Sequence, residues 1–408
     1  MDALFTFITM TFPKAGIQIA GLPLTLNLLL TAYVVLRHPN QTLLMIQRHK
    51  NFAILYVVLL FFGIITILTD IAQGARPYFL AQILIVLISP AVGISASRIS
   101  SDRFIKIVII AMIITNAYGI AQYFIGISQL AIPGISYTYG QDFLNKAIGW
   151  NADTNTAEKI VSTYQTGNSF GIFSVLSISY LLSHRLRPSS WKYARYIALI
   201  LGFVGFLLCG SRSIQIPFFL FLFVLLIQFI RQIPPHRRGI TLIGGGMVVA
   251  VGLAALAVQR TIISQFTDRL IKQTLSSSTG NGRTIQWAHN IDVISEMNGS
   301  ELLRQILIGQ DPNVAIGGEG LPKYFCIFGL ISTVAFFGGI ISVIRMCWHS
   351  YNGRTVAVGI LCVFIAFCVD QSFLYPPNVM NIALFAVAVL CENNHACNKE
   401  GYYVKKTH

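Results

Sequence analysis

Charge is scarce in this sequence. Only 11% of its residues are Asp, Glu, Lys or Arg, and the mean hydropathy is +0.67. A soluble core of 408 residues is therefore excluded. Cysteine is scarce too. The seven cysteines fall in or beside apolar runs or, for Cys397, in the polar tail, and none forms a Cys-x-x-Cys pair. That spacing argues against a disulfide framework or a metal site. No GxxxxGK[ST] loop occurs, so ATP-driven transport by this chain alone is not expected. The first residues lack the positive charge of a secretory leader, and no small-residue cleavage site precedes a polar domain, so no cleavable signal peptide is expected.

Long apolar runs are what the sequence has in their place. Runs of about 17–25 residues recur along the chain, the length a helix needs to cross hydrocarbon while satisfying its own backbone. Spans are expected near 19–36, 52–69, 77–97, 104–126, 166–183, 196–209, 214–230, 239–257, 324–344, 355–373 and 377–391. The opening Leu4–Phe12 is apolar but short, ended by Pro13 and the Gly16/Gly21/Pro23 cluster. It is either a twelfth, short helix or a surface segment. The expected architecture is thus an all-α polytopic membrane protein of about 11–12 transmembrane helices, a single transmembrane domain over residues 1–408.

Charge sets the expected orientation. Segments 37–51, 98–103, 184–195, 231–238, 345–354 and 392–408, with Lys106, hold eighteen Lys or Arg against three acids, whereas the other loops hold eleven against eleven. The cation-rich side is expected to face the cytoplasm, with 392–408 as a cytoplasmic tail. The net charge of +14 then reflects topology. No basic, aromatic-rich domain is present to receive a nucleic acid. Two larger loops, about 127–165 and 258–323, lie on the opposite side.

The second of these loops is the most informative segment. Arg260, Arg269, Lys272, Arg283 and Arg304 lie on a face where cations are not expected, which points to an anionic ligand. Its stretches 262–275 and 284–296 carry apolar residues at helical spacing and read as a lid over a cavity between spans. The first loop, rich in Gly, Tyr, Asn and Thr, suits carbohydrate, and equally suits an ordinary interfacial loop.

Four constellations could carry chemistry. Gly210-Ser211-Arg212-Ser213 sits between two spans with no room for a loop. Its arginine either snorkels to headgroups or lines a cavity, where its fork would grip phosphate oxygens. Gly282-Arg283-Thr284, followed by Trp287 and His289, supplies a second guanidinium beside a ring. Together with Arg212 it would form a two-arginine clamp suited to a pyrophosphate. Glu319, among Gly317, Gly318 and Gly320, is a candidate general base, with His289 a second candidate. Asp370 either pairs with one of the arginines or takes part in proton transfer.

These residues resemble the bacterial O-antigen polymerases of the Wzy type and their relatives, the O-antigen ligases. The likeness covers most of the chain and lies in layout plus short motifs. It is carried by Lys14-Ala-Gly through Gly21-Leu-Pro-Leu-Thr-Leu, by Lys159-Ile-Val-Ser-Thr-Tyr164 with Gly167-Asn168 and Gly171, and by Ser211-Arg212. Gly282-Arg283 with Trp287, Ile308-Gly309, and Tyr324 through Phe328-Gly329-Leu-Ile complete it. The family often has Arg where this chain has Lys159. Ligases tend to carry a His-Asn pair where this chain has Gly318-Glu319-Gly320, which favours polymerase over ligase.

The resemblance implies a metal-independent, inverting glycosyltransferase of the GT-C type in the bacterial inner membrane, without cofactor, its active site facing the periplasm. Donor and acceptor would be undecaprenyl-pyrophosphate-linked glycans, with a chain-length regulator as a possible partner. It implies Arg212 and Arg283 on the pyrophosphate, assisted by Lys159 and Arg260. Glu319 would act as base or acceptor positioner, and Tyr164, Asn168 and Trp287 would meet the sugars. The alternatives are an O-antigen ligase acting on a lipid A-core and, from another class, a lipid-linked oligosaccharide flippase. No paired internal repeat of the kind carriers show is visible.

Overall fold

The structure, a computed structural model, describes residues 1–19, 22–38, 49–74, 77–140, 150–151, 156–157, 159–184, 191–232, 283–309 and 319–404. Through these residues the chain forms α1 (Asp2–Thr11), β1 (Gly16–Ile19), β2 (Leu22–Thr25), α2 (Leu26–Arg37), α3 (Lys50–Ala72), α4 (Pro77–Ile88) and α5 (Gly93–Ser97). There follow α6 (Ser101–Ile125), β3 (Trp150–Asn151), β4 (Thr156–Ala157), α7 (Gly167–Ser183), α8 (Trp191–Leu208) and α9 (Arg212–Gln232). The rest is α10 (Arg283–Ser295), α11 (Gly299–Leu307), α12 (Leu321–Trp348), α13 (Arg354–Val369) and α14 (Pro376–Val404).

Four of these helices, α3, α6, α8 and α12, are long and apolar enough to cross a bilayer, and shorter apolar helices stand beside them. The chain is a helical membrane protein. On α3 the exposed residues Ile54, Val57, Phe61, Ile64, Leu68 and Ile71 recur every three or four positions and form one outward stripe. In water such a stripe would be a liability; in hydrocarbon it is the expected surface. At the centre stands α7, buried on nearly every side from Phe170 to Leu181. A helix apolar all round belongs in the interior.

Helix ends sort to two poles. At one, Arg98 pairs with Asp2 at 3.0 Å and meets His38, while Glu392 pairs with His184 at 2.7 Å and accepts from Ser101. This is the basic pole. At the other, Thr163 donates to the carbonyl of Thr11 at 2.6 Å, Thr138 to that of Lys14 at 3.2 Å, and Asn168 to Asp370.

Several expectations change here. Leu4–Phe12 belongs to a helix inside the bundle, with Phe5, Thr6, Thr9 and Met10 buried. Two short strand pairs stand among the helices: β1 and β2 form an antiparallel hairpin, extended by backbone bonds to Gly134 and Tyr139, and β3 pairs with β4. The span expected from residue 19 therefore begins as a helix only at Leu26. The span over 77–97 is broken by a 3-10 turn, Ser89–Val92, where Pro90 removes a helical donor. The tail continues α14 to Val404, and Glu392 is anchored rather than a free polar residue. Span 239–257 and the amphipathic stretch 262–275 lie outside the described residues.

Candidate functional site

The pole opposite Arg98 is assembled from segments far apart in sequence. Residues 159–166 lead into α7, whose Thr166 side chain accepts from the Ser169 amide at 3.2 Å and caps the helix. The Ile160 amide bonds to the Leu208 carbonyl at 3.3 Å. Gly167 is packed so closely that a Cβ on it would stand 2.4 Å from the Cys209 carbonyl and 3.2 Å from Lys159 Cβ. Lys159 is thus held beside Cys209, near enough for its charge to act on that thiol. Two residues past Gly210 (φ +61°), which turns the chain, Arg212 opens α9, and both cations are half-buried. A cation at the first residue of a helix adds to the positive end of the dipole, a setting that favours an anion.

One residue into α7, Asn168 donates its amide to Asp370, which also accepts from the Ser372 hydroxyl. Asp370 is buried. A buried carboxylate persists when hydrogen bonds replace water. The same corner is tied to α14 by Asn378, whose amide donates to Ser169 Oγ at 3.1 Å and to the Ser372 carbonyl at 2.7 Å.

Next to Asp370 lies the segment carrying Glu319. Gly320 (φ +74°, ψ −150°) packs on the chain end of α13, where a Cβ would stand 2.2 Å from the Cys368 carbonyl. Trp287 on α10 donates its indole N–H to the Glu319 carbonyl at 3.1 Å. The half-buried Glu319 acts electrostatically on Lys323, whose ammonium donates to Gln371 at 2.8 Å.

A second junction supports this one. α11, capped by Asn298 and Glu301 in a reciprocal box, docks on the start of α12, with Gln305 donating to the Phe325 carbonyl at 2.9 Å. There α12 kinks at Gly329 (φ 76°, ψ 175°), and Gly309 (φ +91°) lies against the Ile327 carbonyl. Thr66 on α3 donates to the Ile308 carbonyl at 3.0 Å, and Arg304 to Gln73 at 2.5 Å.

The expected site residues can now be placed. Lys159, Arg212, Asn168, Asp370, Glu319 and Trp287 lie along one unbroken run of contacts. Arg283 opens α10, one turn before Trp287; its side chain and all of Arg260 lie outside the described residues. Tyr164 and His289 stand apart from this run. Tyr164 is wholly buried, its hydroxyl donating to the Met10 carbonyl at 2.5 Å and its ring against Phe173, so it packs the bundle and presents no face to a sugar. His289 is exposed and sits two residues from Trp287. Two helical positions turn about 200°, so it stands on a different side of α10 from the Trp287–Glu319 contact. Asn168 spends its amide N–H on Asp370, the carboxylate expected to pair with an arginine or to move a proton.

Sequence reasoning passed over Asp70, buried at the end of α3, and Asn378 with Asn381, one turn apart on α14. Each was legible as a polar residue inside an apolar run. No protein-family model matches this chain, and no curated protein matches it.

Proposed function

We propose that this chain is a metal-independent, inverting glycosyltransferase of the GT-C type. On this reading it polymerises undecaprenyl-pyrophosphate-linked oligosaccharide repeat units into O-antigen or a similar surface polysaccharide. The chemistry takes place at the periplasmic face of the bacterial inner membrane, the face away from the cation-rich loops. One observation carries the reading. Segments separated by up to about 160 residues, each bearing a motif of the resemblance, meet around Asp370: 159–168, 211–212, and 287 with 319–320.

The division of labour follows from charge. Arg212, at the N-terminus of α9, and Lys159 beside it favour a bound pyrophosphate, with Arg283 completing the clamp. The acceptor hydroxyl oxygen attacks the anomeric carbon of the donor. The bond from that carbon to the pyrophosphate oxygen breaks with its electron pair, and the hydroxyl proton passes to Glu319. Cations aimed at the leaving oxygen lower the barrier as its charge grows. Asp370, fixed by Asn168 and Ser372, holds the neighbouring wall.

The test is a ladder assay. Purified protein incubated with a lipid-linked repeat unit should yield products rising by one repeat at a time. Arg212→Ala and Arg283→Ala should each slow extension about a hundredfold or more, the usual cost of removing one donor from a developing oxyanion. Wild-type ladders from both variants would remove the clamp. In cells lacking the protein, lipopolysaccharide bearing a single repeat supports polymerisation, whereas bare core would assign the ligase reaction instead.

A further inference from the structure

The bundle holds a second feature that the glycan chemistry does not use. A void of about 1030 Å³, its open mouth included, lies between α3, the Pro90 turn, α12 and α14. On α3 it is lined by His49, Phe52, Tyr56 and Leu59, spaced for one helical face. On α14 it runs from Leu390 near the basic pole to Val379. Its inner end is closed by Phe336, whose ring stacks on Tyr324 at 4.7 Å. The cavity therefore runs from the basic pole to within one residue of Asn378.

Its chemistry is that of hydrocarbon. Among its lining side chains only His49 and Tyr56 are polar, and the Tyr56 hydroxyl already donates to the Leu87 carbonyl at 2.9 Å. Its length fits one leaflet. Ten residues of helix from His49 to Leu59 rise about 15 Å, half of the roughly 30 Å hydrocarbon core. Its mouth is cationic: Lys50 and Arg345 are exposed and each is next in sequence to a lining residue, His49 or Met346. Gly339 marks unfilled space, because a Cβ placed there meets nothing closer than Phe52 Cε2 at 4.0 Å.

We propose that this cavity binds one phospholipid of the leaflet at the basic pole, an acyl chain filling the void and an anionic headgroup lying against the His49–Lys50 end of α3. The depth of a single leaflet and the cations at the mouth favour this occupant over the far longer polyprenyl tail of a lipid carrier. The proposal does not depend on the glycan reaction.

The full chain is placed in phosphatidylcholine nanodiscs containing a minor fraction of phosphatidylglycerol, then released for native mass spectrometry with identification of the retained lipid. Wild type should keep one phosphatidylglycerol, enriched about fivefold or more over its share of the bilayer, the ratio that roughly 1 kcal/mol per surface cation gives. Gly339→Leu fills the void and should abolish retention with an unchanged helical circular dichroism spectrum. Lys50→Gln leaves the void open and should keep a lipid while losing the preference for the anionic headgroup, which holds the test if Gly339→Leu does not fold. No lipid on wild type, equal retention by a folded Gly339→Leu, unchanged headgroup preference in Lys50→Gln, or a polyprenyl chain as the retained molecule would each overturn the proposal.

Discussion

Replacing Gly329 by alanine tests whether backbone packing builds the site-bearing pole. Gly329 has φ 76° and ψ 175° inside α12, a region essentially restricted to glycine, where another residue costs about 1–3 kcal/mol. A Cβ there would also stand 2.9 Å from the Gln305 carbonyl, the Ile306 carbonyl and the Gly309 amide nitrogen. None of these can swing aside as a side chain would, and overpacking of this kind adds about 1–3 kcal/mol. The combined loss is about 2–6 kcal/mol by those two ranges. The control is Gly338→Ala on the same helix, where the Cβ meets only the Leu55 side chain at 3.5 Å. That change should be neutral or gain up to about 1 kcal/mol from helix propensity. Thermal unfolding of the two variants in one detergent should therefore place Gly329→Ala well below Gly338→Ala. Because the lost contact is the seat of α11, Gly329→Ala should also become cleavable by protease within 299–309 before global unfolding. Coincident melting curves would refute the reasoning.

Two further outcomes are expected. Asn168→Ala withdraws a donor from a buried carboxylate and should cost roughly 1.5–3 kcal/mol in a melt; Asp370→Asn, which can still accept from Asn168 and donate to Ser372, should cost less, and equal losses would mean that Asp370 does not depend on that bond. At the basic pole, His184→Ala removes one hydrogen-bond partner of Glu392, with only 3% and 16% of the two side chains exposed, and should destabilise by roughly 1.5–3 kcal/mol. Tyr180→Phe, which removes one longer bond to the same carboxylate, should cost about 1 kcal/mol, so a reversed order would show the His184–Glu392 contact to be of little structural weight.

How much was legible in the sequence depended on the solvent each segment must satisfy. Hydrocarbon leaves the backbone no partner but its own helix, so α3, α6 and α12 follow directly from their apolar runs. The hairpin Gly16–Thr25 was hidden because Leu22–Thr25 continues into the apolar face of α2, and a short apolar run does not distinguish strand from helix. Asp370 was recognisable as an acid at the end of a span, but its partners Asn168 and Ser372 depend on how α7 meets α13, which no local pattern encodes. Tyr164 misled for the converse reason. Its neighbours Ser162, Thr163 and Thr166 suggest a solvated loop, while its hydroxyl is spent on the Met10 carbonyl, more than 150 positions away. Gly309, Gly320 and Gly329 carry no side-chain signal of their own in the sequence. In the structure they let three stretches of backbone touch.

That packing bears on how the two proposed sites relate. At the pole bearing Glu319, geometry is held by main-chain contacts at Gly167, Gly309, Gly320 and Gly329, each too tight for a Cβ. The cavity near His49 is framed by side chains alone, and Gly339 there has room to spare. Between them lie the rings of Tyr324, Phe336, Phe367 and Phe373, with Tyr324 and Phe373 centroids 4.8 Å apart. A side chain added at Gly339 enters open space, with nothing nearer than Phe52 Cε2 at 4.0 Å from its Cβ, and so need not displace the backbone. Filling the cavity with Gly339→Leu should thus leave repeat-unit extension near wild type, and Arg212→Ala should leave lipid retention unchanged. If instead both variants lost both properties, the ring layer would be a coupling element between the poles, and the lipid would be a regulator of the glycan reaction rather than an independent guest.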